Sequence, residues 1–169
     1  LRGNNDLLSI TQPQAVLEVH EKYLKAGSDI LETNTFSGTT ISMADYKMEH
    51  LVKELNIASV KLARQACDKY TKMDPSKPRF VAGAVGPTNR TASTSPKVDD
   101  PSNRNVTFDE LKKAYREQVD ALAEGGVDIF FVETIFDTLN AKAALFAIAE
   151  FHDDLPKDKP RIPIFISGT

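Results

Sequence analysis

One cysteine, three histidines and no tryptophan leave little redox or metal-binding chemistry among these 169 residues. Cys67 alone excludes a disulfide scaffold and any multi-cysteine metal cage built from this chain. His20, His50 and His152 fall on or beside helical stretches, and none sits at a ligand spacing from another His or from Cys67. No apolar run approaches the roughly 20 residues that cross a bilayer, so no membrane partner is expected. No basic run stands out against a net charge of −3, so nucleic acid is not expected either. No Gly-x-Gly-x-x-Gly follows an apolar run, which weakens the case for a dinucleotide site. What remains, 41% hydrophobic and 27% charged residues, is the balance of a globular domain with its own core. A cytoplasmic setting fits this cysteine usage.

Short apolar runs alternate with longer amphipathic ones. Thr11-Gln12-Pro13-Gln14 reads as a capping box, and the helix after it places Val16, Val19 and Tyr23 on one face until Gly27 ends it. Residues 29–34 read as a strand. A long helix from about Met48 to Lys72 repeats Leu51, Leu55, Ala58, Leu62 and Ala66 at spacings of three and four. Residues 79–85 form the second strand, closed by Gly86-Pro87. A polar stretch from Thr88 to Asn105 follows, long enough to suggest a functional loop. Thr107-Phe108-Asp109-Glu110 is a second capping box, and Gly125-Gly126 ends its helix. Residues 127–133 read as a third strand, a further helix uses Ala141, Ala144, Leu145 and Ile148, and a fourth strand lies near 162–167.

This α-β alternation predicts parallel strands with right-handed crossovers, in an open doubly wound sheet or a (β/α) barrel. The missing phosphate fingerprint favours the barrel, and so does the echo between Gly27-Ser28-Asp29-Ile30 with Glu32-Thr33 and Gly126-Val127-Asp128-Ile129 with Glu133-Thr134. A whole barrel takes about 250 residues and eight strands. The chain is therefore expected to form strands two to five of a barrel cut at both ends, in one domain over residues 1–169.

Barrels and open sheets alike bind ligands at the carboxyl ends of their strands. Side chains alternate along a strand, so Val127, Ile129, Phe131 and Glu133 share a face. Glu133 then points into the barrel mouth, where an unpaired carboxylate is costly. The ammonium of an amino-acid ligand, or a Lys or Arg from elsewhere in the protein, would compensate it. Asn34 and Thr35 end the first strand and offer neutral donors and acceptors, to a ligand or to their own loop. Glu32 lies deeper and reads as a structural hydrogen-bonding residue. Arg90 reads as a loop charge and Cys67 as a packing residue. No catalytic or metal-binding residue is assigned.

Six segments in order carry a resemblance. They are Asn4-Asn5-Asp6-Leu7-Leu8, Glu32-Thr33-Asn34-Thr35-Phe36, Met43-Ala44-Asp45-Tyr46, Gly86-Pro87-Thr88-Asn89-Arg90-Thr91, Glu133 to Ala144 and Ile166-Ser167-Gly168-Thr169. Together they resemble the homocysteine-binding barrel of cobalamin-dependent methionine synthases. The resemblance implies a (β/α)8 methyltransferase barrel that binds L-homocysteine and zinc, three cysteines holding the metal. It implies methyl transfer from methylcobalamin, recharged by methyltetrahydrofolate on other modules of the same protein. It also implies that Glu133 holds the homocysteine amino group. All three zinc cysteines, the first barrel strand and the cobalamin and folate modules have no match here, so the chain alone is expected to be inactive and to bind neither zinc nor cobalamin. The alternatives are a cobalamin-independent homocysteine methyltransferase and a non-catalytic truncated barrel.

Overall fold

A computed structural model describes residues 3–169. Four parallel strands stand in chain order: β1 (Ile30–Glu32), β2 (Phe80–Val85), β3 (Ile129–Ile135) and β4 (Ile164–Gly168). The helices are α1 (Leu8–Thr11), α2 (Pro13–Ala26), α3 (Thr40–Met43), α4 (Val52–Met73), α5 (Phe108–Gly125) and α6 (Thr138–Asp154). Helix-linked parallel strands in sequential order are the wall of a (β/α) barrel, as expected of the alternation.

The register sorts the side chains. Leu31 pairs with Val81, Gly83 with Phe130 and Val85 with Val132, so these residues share one face, and it packs under the helices as the main core. Glu32 pairs with Ala82 and Ala82 with Ile129, then Ala84 with Phe131 and Phe131 with Phe165. These line the opposite face, the concave side of the wall. Gly83 lets α5 close on β2, since a Cβ there would stand 3.1 Å from Leu122 Cδ1.

Local chemistry explains the helix ends. Thr107 Oγ1 accepts from Glu110 N at 3.2 Å and Glu110 Oε2 accepts from Thr107 N at 2.8 Å, the reciprocal cap expected for α5. Gly27 and Gly126 end α2 and α5 at φ 112° and 95°, where a side chain would be strained.

Three local expectations change. Thr11 caps nothing: it closes α1, donating to Leu7 O at 3.1 Å, and Gln12 precedes α2 without a side-chain cap. The buried stripe of α2 is Val16, Leu17, His20 and Leu24, while Val19 and Tyr23 stand 49% and 62% exposed. Two apolar stripes compete on this helix, and the one that meets α4 wins. A 3₁₀ turn at Glu49–Leu51 delays α4 to Val52, and its buried face turns to include Asn56 and Ser59. No helix of the described residues is long and apolar enough to cross a membrane.

Candidate functional site

The carboxyl ends of the strands gather three acids. Glu133 is half-buried on the concave face of β3. Burial pushes its carboxyl above the usual range, the nearby Glu32 and Asp6 push it further, and a 3.4 Å hydrogen bond from Thr134 Oγ1 opposes them. Glu32 lies on the same face, and burial raises it too. It makes no side-chain hydrogen bond among the described residues, so the structural role read from sequence is not what holds it. Asp6 is only 6% exposed. Its Oδ2 accepts from Ser37 N at 2.6 Å, yet burial still carries it up to about 6. None of the three carboxylates takes part in an ion pair among the described residues. Like charges gathered in one place are costly, and a cationic ligand would relieve them.

Asp6 went unread in the sequence because it precedes the first helix and ends no strand. Asn34 brings it to the mouth. The Asn34 side-chain amide donates to Asn5 O at 2.9 Å and to Asp6 O at 3.4 Å, tying the N-terminal segment across the end of β1. Ser59 Oγ secures the same corner through Asn34 O at 3.2 Å and Ser9 Oγ at 2.7 Å. Asn34 Oδ1 accepts nothing from the described residues, and it remains open to a donor from a ligand.

Thr35 is turned into the protein. It is fully buried, takes a hydrogen bond from Thr33 Oγ1 at 2.7 Å and donates to Ala84 O at 2.8 Å. Its hydroxyl stitches the β1 loop to β2 rather than lining a cavity. Gly86 completes the stitch, since a Cβ there would stand 2.2 Å from Phe36 O. A hollow of about 600 Å³ opens beside β1, lined by Glu32, Asn34, Val19 and Tyr23. A second of about 430 Å³ holds Asp6, Asn34, Ser37, Asp45 and Asn89. Asn34 lines both, and Glu133 and Thr35 line neither.

The long loop after β2 is held by the start of α6. Asn140 Nδ2 donates to Pro87 O at 2.8 Å and Arg90 O at 2.7 Å, while its Oδ1 accepts from Ala92 N at 3.0 Å. Asp137 caps α6 through Leu139 N at 2.8 Å and accepts from Ser93 N at 2.9 Å. Burial would raise the Asp137 carboxyl, but these hydrogen bonds outweigh it and hold it below its ordinary value. Arg90 reaches back to Asn105 O at 3.3 Å, a loop charge as expected. Two threonines at this end adopt left-handed backbone: Thr88 at φ 63° and Thr134 at φ 53°. For a β-branched residue that costs on the order of 1–3 kcal/mol, and such strain concentrates at functional sites.

No group of three His, Cys, Asp or Glu among the described residues could hold a metal ion. Cys67 is buried against Phe80 O at 3.4 Å, and burial pushes its thiol up to about 11, which suits the packing role. His20 and His152 are buried as well, and burial lowers both.

The comparisons with known proteins agree with this architecture. The chain is similar to the crystal structure of the homocysteine methyltransferase MmuM from Escherichia coli in its metallated form. The TM-score is 0.71 at 24% identity, over 86% of this chain and 50% of that one. The apo form of the same protein aligns at 0.68 and 23% identity, over 97% of this chain and 52% of that one. The chain thus spans about half the length of the solved structures it matches, and at such identity the likeness is one of fold. The model of the homocysteine S-methyltransferase family, by contrast, matches residues 1–169 from end to end, and the chain belongs to that family.

Proposed function

We propose that this chain is the part of a homocysteine methyltransferase barrel that receives the amino-acid end of homocysteine. The observation that carries the reading is the group of acids at the barrel mouth, none of them ion-paired among the described residues, with Glu133 on the concave face. An α-ammonium placed there would turn a repulsive cluster into a charge-assisted contact. Glu133 takes the ammonium directly, and Asn34 accepts a further hydrogen bond through Oδ1. Thr35 acts by fixing the loop that carries Asn34. The carboxylates bind and orient; nothing in their chemistry activates the sulfur.

The sequence resemblance supports a finer reading, a cobalamin-dependent methionine synthase. Other modules of such a protein would supply methylcobalamin and methyltetrahydrofolate. Zinc belongs to the same resemblance, but the described residues do not fit it, so no step is routed through a metal here. Offering the intact protein methylcobalamin, a sulfonium donor and betaine separates this reading from a cobalamin-independent methyltransferase. Turnover with methylcobalamin alone is expected.

The binding reading is tested by Glu133→Gln in the intact protein. A charge-assisted contact contributes about 1.5–3 kcal/mol, so homocysteine affinity should fall roughly tenfold to hundredfold. Unchanged affinity by calorimetry would remove Glu133 from the site.

A further inference from the structure

The pairing of β3 with β4 slips at the mouth. Val132 pairs with Ile166, but the next pair is Ile135 with Gly168. Three steps on β3 match two on β4, so β3 carries one extra residue, a bulge. The extra residue has a definite consequence for direction. In an unbroken strand, residues 133 and 135 would share the concave face. With the bulge, Ile135 returns to the helix side and packs against the main core, while Glu133 stays on the concave side. The switch is made at Thr134, whose backbone is left-handed at φ 53°. A left-handed turn in a bulge is a place for glycine. A threonine held there keeps a hydroxyl against the carboxylate that the bulge aims, with Thr134 Oγ1 3.4 Å from Glu133 Oε2. Thr169, the residue after β4, locks the same point, its N–H donating to Ile135 O at 3.1 Å.

We propose that Thr134 is a positioning residue: its hydroxyl, held against Glu133 by the left-handed bulge, presets the carboxylate to meet the substrate's ammonium. The inference rests on the reading of Glu133 as the ammonium contact. Thr134 itself touches no substrate; its backbone sets the direction of its neighbour and its hydroxyl restricts the carboxylate's rotation. A threonine kept against its backbone preference is then the cost of a preorganised contact.

The test is a double-mutant cycle in the intact protein, reading KM and kcat for homocysteine together with thermal stability. Thr134→Gly fits φ 53° without strain, so the fold should be retained with Tm unchanged or raised. KM should nevertheless rise roughly tenfold with kcat within about twofold, the signature of lost binding alignment. Thr134→Ser, which keeps the hydroxyl, should recover most of the loss. Combined with Glu133→Gln, Thr134→Gly should add almost nothing, because both act on one contact. A normal KM in Thr134→Gly, beside a raised KM in Glu133→Gln, overturns the positioning role and leaves the ammonium contact standing. A normal KM in Glu133→Gln overturns the contact itself, and the positioning role with it. Full additivity in the double variant also overturns it, by showing that Thr134 does not act through Glu133.

Discussion

Asp6 keeps an ionisable group buried without a counter-charge among the described residues, and that has a measurable sign. Its carboxyl sits at about 6 in the folded chain against an ordinary 3.8. A raised carboxylate pKa means that the fold prefers the protonated form. Ionisation therefore destabilises the fold at neutral pH, and stability is regained as pH falls through 6 toward 4. The shift corresponds to about 1–3 kcal/mol. Asp6→Asn keeps an acceptor for Ser37 N and removes the charge. It should raise Tm at pH 7.5, with the advantage shrinking to nothing near pH 4 in a melting series. A variant less stable than its parent at pH 7.5 would mean that some cation already compensates Asp6. Glu133 moves in the same direction, so homocysteine should bind more weakly as acid neutralises it, and Glu133→Gln should flatten that dependence. Glu133 could be read from the sequence because period-two alternation needs only its own strand. Asp6 could not: it reaches the mouth through Asn34, whose amide bonds Asn5 and Asp6 across 29 and 28 residues of chain. The same distance effect misplaced Glu32, whose surroundings depend on β3.

At the level of elements, apolar periodicity and punctuation were enough for the four strands and the main helices, and parallel pairing followed from their alternation. The errors fall where two local answers compete. Thr107-Phe108-Asp109-Glu110 caps because Thr107 itself is extended, at φ −95° and ψ 163°. Thr11 has the same type of neighbours but is already inside α1, whose Leu7 packs on Met43, Val52 and Leu55. Tertiary packing overrides a capping pattern there. The bulge at Thr134 had no local mark, because a bulge is a relation between β3 and β4. The capping box that did form predicts its own removal. Thr107→Ala should cost about 0.5–2 kcal/mol by denaturant melting, and Thr107→Ser much less. An unaffected midpoint in Thr107→Ala would mean that α5 is held by its packing on α4 and α6 alone.

The whole molecule is a wall with two open sides. Among the described residues β1 pairs only with β2, and β4 only with β3, so each presents an unpaired edge. All five residues of β4 are exposed, and the concave face shows Ile30, Phe80 and Phe165 at 39%, 42% and 46% exposure. A closed barrel would cover these surfaces with its remaining strands. Left open, strand edges and apolar patches template association, and nothing on β4 guards against it, since Ile164-Phe165-Ile166-Ser167-Gly168 carries no charge and no proline. The 169-residue chain on its own should therefore self-associate, with light scattering giving a mass above the 18.6 kDa of one copy. Phe165→Lys puts a charge on the concave face beside Phe131, whose ring it now meets edge-on at 6.4 Å. That substitution should shift the population toward the monomer. If the unsubstituted chain runs as a monodisperse monomer across a concentration series, the open edges are not sticky. The concave face would then have to be shielded by a rearrangement of β4 against it, which hydrogen exchange at Phe165 and Ile166 would detect as protection.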